Sequence, residues 1–265
     1  MEMAATPWTF EWWIIALFIA AVTGFIATYL GVGGCFLRIP FMMWFLGLSI
    51  KQAYCVNQAV IAISTIPGVI THYKQGHTYS RGVIVSAIGA SIGVFLGTLI
   101  AVWTPRGLLR TIFGSACVGV GIYMLIKSVK TRGRVPPRVT VKEVRTLTSG
   151  PKLFFLMFLA GVATGVCGFG GGIYFVPVLT ALAYPMHIAV GTSSTIMIAT
   201  GTVGATNLTY HGFMVWEDVV GIGLPTLLFS WLGAKAAKIA KAWILRGVFG
   251  ILISVIGGLV AVHIL

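Results

Sequence analysis

Charged residues are scarce in this chain, and acidic residues are the scarcest of them. Only 9% of the 265 residues are charged, and five Asp and Glu stand against 18 Lys and Arg. An average soluble domain carries about 25% charged residues, so this composition argues against an ordinary soluble fold. Hydrophobic residues make up 58% of the chain, and several apolar runs approach the roughly 20 residues that cross a bilayer as a helix. The sequence therefore predicts a polytopic membrane protein.

The chain also lacks the signatures of several chemistries. Its four cysteines, Cys35, Cys55, Cys117 and Cys167, have no CxxC or Cys/His spacing, which argues against a zinc site or a secreted disulfide framework. No GxxxxGK[ST] motif is present to bind a nucleotide phosphate. No general base or orienting carboxylate accompanies a cysteine, as nucleophilic catalysis would require. We expect an all-α membrane protein with no cofactor and no metal, and not an enzyme.

The basic residues concentrate in the middle of the chain. Eight of them fall between Lys127 and Lys152, without the aromatic or groove-reading motifs of a nucleic-acid module, so no nucleic-acid partner is expected. The positive-inside rule explains the cluster as a cytoplasmic linker. We predict a first membrane repeat over residues 1–128, this basic linker over 129–151 and a second, inverted membrane repeat over 152–265.

Two glycine-rich stretches indicate an internal duplication. YLGVGGCFLRIP begins at Tyr29 and GVCGFGGGIYFVP begins at Gly165, and each has a proline six residues after a glycine pair. At an offset of 137 residues, Gly31, Gly33, Gly34 and Pro40 match Gly168, Gly170, Gly171 and Pro177. At an offset of 136, Gly76, Gly97, Ala101, Arg110, Gly114 and Gly121 match Gly212, Gly233, Ala237, Arg246, Gly250 and Gly257.

Hydropathy divides each half into three spans and one shorter pair. The predicted segments of the first half are Trp12 to Leu30, Phe36 to Leu48, Ala53 to His72, Val83 to Trp103 and Leu108 to Ile126. Those of the second half are Leu153 to Cys167, Ile173 to Leu182, Ile188 to Thr209, Val219 to Ala236 and Trp243 to Leu265. An odd net number of crossings gives the two halves opposite orientations, which is a recurring plan among transporters.

Charge predicts which way each half points. A cytoplasmic linker places Arg81 inside, Glu217 and Asp218 outside, and both chain termini outside the cell. Arg106 and Arg110 then lie outside, where the rule disfavours them.

The two short segments, 36–48 and 173–182, are too short to cross a bilayer alone. A half-helix that begins after a glycine break exposes backbone N–H groups and the positive end of its dipole, which together attract an anion. Two opposed copies would aim at one place, so we predict a substrate site between the halves. The alternative is that the glycines only allow close helix packing.

Polar and thiol side chains near these segments are candidate substrate contacts. Arg38 would suit an oxyanion unless it snorkels to the surface. Amides and hydroxyls could donate to substrate or form ordinary interhelical or i−4 bonds, and the cysteines could be apolar filler. These candidates are Cys35, Arg38, Asn57, Gln58, Cys167, Ser193, Ser194 and Thr195.

The runs GVGGCFLRIP, GFGGGIYFVPVL and AVGTSST, with the basic central linker, resemble the TauE/SafE sulfite exporter family, also called the sulfite and sulfonate permease family. The resemblance spans essentially the whole chain. It implies transport of sulfite, sulfoacetate or related organosulfonates across the inner, or plasma, membrane of a bacterium or archaeon. The positions that match the family's motif regions are Gly33, Gly34, Gly170, Gly171, Gly172, Ser193, Ser194 and Thr195.

The first repeat departs from the commoner GTS pattern, since it has Cys55, Val56 and Asn57 there. The chain also resembles, more distantly, the thiosulfate uptake group, in which cysteines line the path.

Together these features predict an exporter of small sulfur oxyanions that works by alternating access of inverted repeats. The alternatives are an importer of thiosulfate or another sulfur anion that uses pathway cysteines, and a passive anion channel. The partners expected are a small anionic substrate and the lipid bilayer, with a homodimer as an open option.

Overall fold

The structure, a computed structural model, describes residues 8–30, 34–130, 141, 147–236 and 242–262. Within these ranges the chain forms eleven α-helices and no strand. The helices are α1 Phe10–Leu30, α2 Cys35–Phe45, α3 Ile50–Ser64, α4 Ile66–Lys74, α5 Ser80–Trp103, α6 Arg106–Lys130, α7 Pro151–Cys167, α8 Gly172–Ala181, α9 Met186–Tyr210, α10 Trp216–Ala236 and α11 Ala242–Ala261. Most of the basic linker lies outside the described residues.

Four helical stretches in the described part of the chain are long and apolar enough to cross a membrane. They are Ile50–Lys74 (α3 with α4), Ser80–Trp103, Arg106–Lys130 and Met186–Tyr210. Large apolar side chains on their outer faces are exposed, as lipid-facing residues are. The chain is therefore a multi-pass membrane protein, as the composition predicts.

The predicted single span from Ala53 to His72 is two helices, α3 and α4, that meet at Thr65. Pro67 is the cause, because proline has no N–H to donate to the carbonyl four residues earlier. At the end of α3 the carbonyl of Ile61 accepts from both the backbone N–H of Thr65, at 3.1 Å, and its hydroxyl, at 2.8 Å. The path across the bilayer is kept, with a joint near its middle.

Contacts between the helices join the two halves of the chain. Helix α5 packs on α7, α1 on α10, α6 on α11 and α3 on α9. Glycines bring α5 and α7 together, since a Cβ added to Gly93, Gly97, Gly161 or Gly165 would lie 2.2 to 2.6 Å from a carbonyl oxygen of the facing helix. Close packing thus explains these glycines.

The helix ends gather at two opposite ends of the bundle. At one, here called the α3 end, Lys51 Nζ donates to the carbonyl of Val102 and lies 5.7 Å from the ring centroid of Phe213. At the other, here called the α4 end, the rings of His77 and His187 stack 5.5 Å apart.

The two short helices, α2 and α8, run to different ends. Helix α2 leads into the turn before α3, at the α3 end. Helix α8 leads to Tyr184, whose ring lies 6.1 Å from that of Tyr79 at the α4 end. Both begin at buried residues, Cys35 and Gly172.

Candidate functional site

Both glycine clusters interrupt the helical path. Helix α1 ends at Leu30 and α2 begins at Cys35 after Gly34, while Gly31 and Gly33 lie outside the described residues. Helix α7 ends at Cys167 and α8 begins at Gly172, with Gly168, Gly170 and Gly171 in the gap. The predicted short helices are confirmed, and each starts inside the protein.

Glycine is required where these breaks are tightest. Gly171 has φ +86°, a region that other residues rarely adopt, and a Cβ there would lie 2.1 Å from Cε2 of Phe175. A Cβ on Gly34 would lie 2.2 Å from the carbonyl oxygen of Thr23. Unlike the α5 and α7 glycines, these two shape the breaks themselves.

Backbone donors from both breaks meet at Cys35. The Cys35 sulfur lies near the backbone N–H groups of Cys35 itself and Phe36, in the first turn of α2, and near that of Gly170, in the second break. A helix start carries unpaired N–H groups and partial positive charge. The two breaks therefore bring backbone amides close to one side chain, that of Cys35.

Arg38 adds a full positive charge one turn into α2. Its side chain is 1% exposed, so it does not snorkel to the surface. Nε donates to Thr23 Oγ1 at 3.2 Å, and Nη1 donates to Asn57 Oδ1 at 3.2 Å. Both partners are neutral.

None of the acidic side chains in the described ranges pairs with Arg38. Glu11 lies in the first turn of α1, and Glu217 and Asp218 lie in the first turn of α10. Asp218 accepts a hydrogen bond from Trp12 Nε1 at 3.0 Å. A buried cation without an anionic partner is costly, so this position favours an anion.

Asn57 connects Arg38 to the second break through hydrogen bonds. Its Nδ2 donates to the carbonyl of Gly168 at 2.8 Å, while its Oδ1 accepts from Arg38. Of the alternatives that the sequence leaves open for Asn57, interhelical bonding is the one observed. The side chain holds α2, α3 and the α7–α8 break in one arrangement.

Gln58 behaves differently from its neighbour. It is fully buried against Gly204 of α9, and neither Nε2 nor Oε1 has a hydrogen-bond partner in the described structure. Buried polar atoms are nearly always paired. The Gln58 amide therefore keeps hydrogen-bonding groups that the described residues do not satisfy.

The hydroxyls on α9 divide in the same way. Ser194 donates to the carbonyl of Val190 at 2.9 Å, and Thr195 donates to that of Gly191 at 3.0 Å. These are i−4 backbone bonds, which use up the donor. Ser193 Oγ is buried without a partner among the described residues. Substrate contact by the three residues stays a prediction.

Three thiols gather near the same centre. Cys117, on α6, lies close to Cys35 and Cys167, and all three are buried. The hydroxyl of Tyr174 donates to Cys167 Sγ at 3.6 Å. The described side chains include no group of three His, Cys, Asp or Glu with the geometry of a metal site.

An aromatic row borders these thiols. Ring centroids are 5.9 Å apart for Tyr54 and Phe113, 5.1 Å for Phe113 and Phe169, and 5.9 Å for Phe169 and Tyr174. The Tyr54 hydroxyl is buried without a hydrogen-bond partner in the described part. It is a further open donor, and the Tyr54 ring packs against Gly168.

Sequence reasoning missed four side chains of this site: Thr23, Tyr54, Cys117 and Tyr174. Two of them could have been recognised from the sequence. Tyr54 and Tyr174 stand inside the motifs AYCVNQAV and GGGIYFVP, and a buried tyrosine normally needs a partner for its hydroxyl. No sequence pattern marks Thr23 and Cys117, because only the packing of α1 and α6 brings them to the site.

The contrast between Asn57 and Gln58 predicts opposite effects on stability. Asn57→Leu should lower the thermal unfolding temperature of the detergent-purified protein, because it leaves the Gly168 carbonyl and an Arg38 N–H unpaired, at about 1 to 3 kcal/mol for each. Gln58→Met, of similar size, should leave that temperature unchanged or raise it. Equal destabilisation by both variants would contradict the assignment of their hydrogen bonds.

The fold and the site together define a multi-pass helical membrane protein whose interrupted helices enclose a buried cation and open hydrogen-bond donors, an arrangement met in membrane transporters. Residues 15–260 match the family described as Sulfite exporter TauE/SafE. Because the match covers nearly all of the chain, the protein belongs to the TauE/SafE sulfite exporter family. This confirms the resemblance drawn from the glycine motifs.

Similar proteins carry the general name of membrane transporters. The chain is 27% identical over 250 residues to a probable membrane transporter protein of Xylella fastidiosa strain Temecula1, with 91% of each chain covered. It is 25% identical to one from Haemophilus influenzae, covering 90% of this chain and 94% of that one. It is 22% identical to YdhB of Bacillus subtilis, also named a probable membrane transporter protein, covering 88% and 94%. No solved structure matches the chain.

Proposed function

We propose that this protein exports small sulfur-containing oxyanions, such as sulfite, sulfoacetate or a related organosulfonate, across the inner membrane. The observation that carries the proposal is Arg38, a buried cation whose two hydrogen-bond partners are neutral. A bound oxyanion would supply the missing negative charge. The guanidinium fork suits the oxygens of a sulfite or sulfonate group.

The remaining donors are of the right kind to replace hydration. The Gln58 amide and the Tyr54 hydroxyl have no protein partner in the described structure, and the first N–H groups of α2 lie near the Cys35 sulfur. Hydrogen bonds to a charged group are worth about 1.5 to 3 kcal/mol each. Several such bonds bind the anion.

Alternating access of inverted repeats is the proposed mechanism, with repeats over 1–128 and 152–265. In this scheme α1 corresponds to α7, α5 to α10, α6 to α11 and α3 to α9. Swapping the two repeats therefore converts the observed α5–α7 contact into the observed α10–α1 contact. It maps the α6–α11 and α3–α9 contacts onto themselves. The opposite directions of α2 and α8 support the same relation. One repeat would rock against the other around the central site.

The proposed orientation places the α3 end outside the cell and the α4 end in the cytoplasm. The linker and Arg81 then obey the positive-inside rule. An inside-negative membrane potential drives an anion outward, which favours export. Both chain termini would lie outside.

Flux in proteoliposomes tests the function. Purified protein is reconstituted, and initial rates for sulfite, sulfoacetate and thiosulfate are measured over a range of concentrations, with and without a proton gradient. We expect saturable flux of sulfite or sulfoacetate. Flux proportional to concentration at every level would instead indicate an anion channel, and no flux of any of the three anions would refute the proposal.

A second candidate function, thiosulfate uptake, is favoured by one observation. Three buried thiols and the Tyr174 hydroxyl surround the same centre, and sulfur is a polarisable contact for a terminal sulfur atom. The thiols would contact the anion without covalent chemistry.

Replacement of Cys35, Cys117 and Cys167 together by serine separates the two candidates. If the thiols are filler, the triple variant should keep sulfite flux within about threefold of wild type, because serine is a near isostere that also accepts hydrogen bonds. Loss of thiosulfate flux with sulfite flux kept would establish the second candidate. Cys55→Ser is the matched control, since Cys55 bonds to α9 and not to this group.

A further inference from the structure

A positively charged cavity lies at the α3 end of the bundle, away from the central site. It has a volume of about 500 Å³. The turn between α2 and α3, the start of α6 and the residues after α9 form its walls. Its polar lining comprises Ser49, Gln52, Arg106 and Arg110.

Fixed positive charge dominates this cavity. None of its lining residues is acidic, and Arg110 Nε is buried without a hydrogen-bond partner in the described structure. Lys51 stands beside it, close enough to interact with Arg106 and over the ring of Phe213. Helices α3 and α6 also begin here, so the positive ends of two helix dipoles add to the charge.

Membrane topology does not account for these cations. In the proposed orientation they lie outside, where the positive-inside rule disfavours lysine and arginine. Basic residues on the disfavoured side of the membrane need a local structural explanation. An unpaired buried Arg110 Nε facing a cavity without carboxylates supplies one, because guanidinium groups bind oxyanions with two parallel hydrogen bonds.

The cavity and the central site share helix α3. Gln52 in its wall and Asn57 at the centre are five residues apart on α3, which is about 7.5 Å of helix rise. The two sites therefore differ in depth along α3 by only about one and a half helical turns.

We propose that the α3-end cavity is a separate binding subsite for a small oxyanion, held by Arg106 and Arg110. The inference rests on the proposed function for the identity of the ligand. The presence of an anion site is argued from the cavity itself and does not depend on the proposed function. The subsite captures or releases the anion at the α3 end while Arg38 binds it in the centre.

Equilibrium binding to the solubilised protein tests the subsite directly. Radiolabelled sulfite is titrated against wild type, Arg110→Gln, Arg106→Gln and Arg38→Met, with Arg81→Gln at the α4 end as the charge-matched control. We expect two classes of site in wild type. Each of the Arg106 and Arg110 variants should weaken one class about tenfold, Arg38→Met should remove the other, and Arg81→Gln should change neither.

One-sided kinetics give the second readout. In vesicles of defined orientation, Arg110→Gln should raise KM about tenfold for sulfite presented at the α3 end and leave KM at the α4 end unchanged. Arg106, an exposed residue in the first turn of α6, provides a variant that folds if Arg110→Gln does not.

The outcomes separate the two proposals. Wild type that binds sulfite in two classes without transporting it would refute the proposed function and keep the subsite. Arg106 and Arg110 variants that bind like Arg81→Gln, or an equal rise in KM at both ends, would overturn the subsite whatever the flux.

Discussion

Arg38→Met is expected to reduce sulfite flux at least 100-fold while the protein remains folded and inserted. Removing one partner of a buried charge pair costs about 3 to 5 kcal/mol, and each 1.4 kcal/mol is tenfold in affinity. The bound anion is the only negative partner that the described structure leaves for Arg38. Methionine fills similar volume without a charge, so the fold loses a desolvated cation and two hydrogen bonds to neutral groups.

Two measurements check this expectation. Thermal unfolding should shift by no more than a few degrees, because the relief of a buried charge offsets the loss of the bonds to Thr23 and Asn57. Arg81→Met, the same change at an exposed position, should keep wild-type flux. If Arg38→Met transports normally, the anion does not meet Arg38 and the central site is wrongly placed.

Gly171→Leu is the second change with a large expected effect, abolition of flux with membrane insertion retained. A side chain at φ +86° strains the backbone by about 1 to 3 kcal/mol, and its Cβ would overlap the Phe175 ring. The break before α8 would have to move. The N–H of Gly170, which lies near the Cys35 sulfur, would then leave the site.

Gly119→Leu is the matched control. Gly119 lies within α6 with nothing within 4 Å of a Cβ, so the same residue type is added without a clash. Flux and membrane content of the two variants are compared in proteoliposomes. Unaltered transport by Gly171→Leu would show that the shape of the second break does not matter for binding.

The two breaks show why part of the site was predictable. A glycine cluster followed by a short apolar segment is a local pattern, and a segment of about ten residues cannot cross 30 Å of hydrocarbon whatever surrounds it. The same holds for Arg38, since a lone arginine in apolar sequence must either reach the surface or find a partner. Its burial was one of the two outcomes that the sequence left open.

Asn57 and Gln58 show where such prediction stops. They are adjacent amides on one helix, and the sequence treats them alike. The structure gives Asn57 two bonds, to Arg38 and to the Gly168 carbonyl 111 residues away, and gives Gln58 none. Which amide faces which neighbour depends on the rotation of α3 against α2 and α9, and no local pattern encodes that rotation.

Sequence alone determined the membrane class, the short helices, the breaks between them and the family, because hydropathy, glycine content and segment length act within about 20 residues of chain. Tertiary structure alone decided that Cys117 joins Cys35 and Cys167, that Tyr54 and Gln58 keep open donors, and that Arg106 and Arg110 share a cavity with the turn before α3. Those relations join residues far apart in the chain, and they follow from how lipid-facing helices pack against one another at small residues.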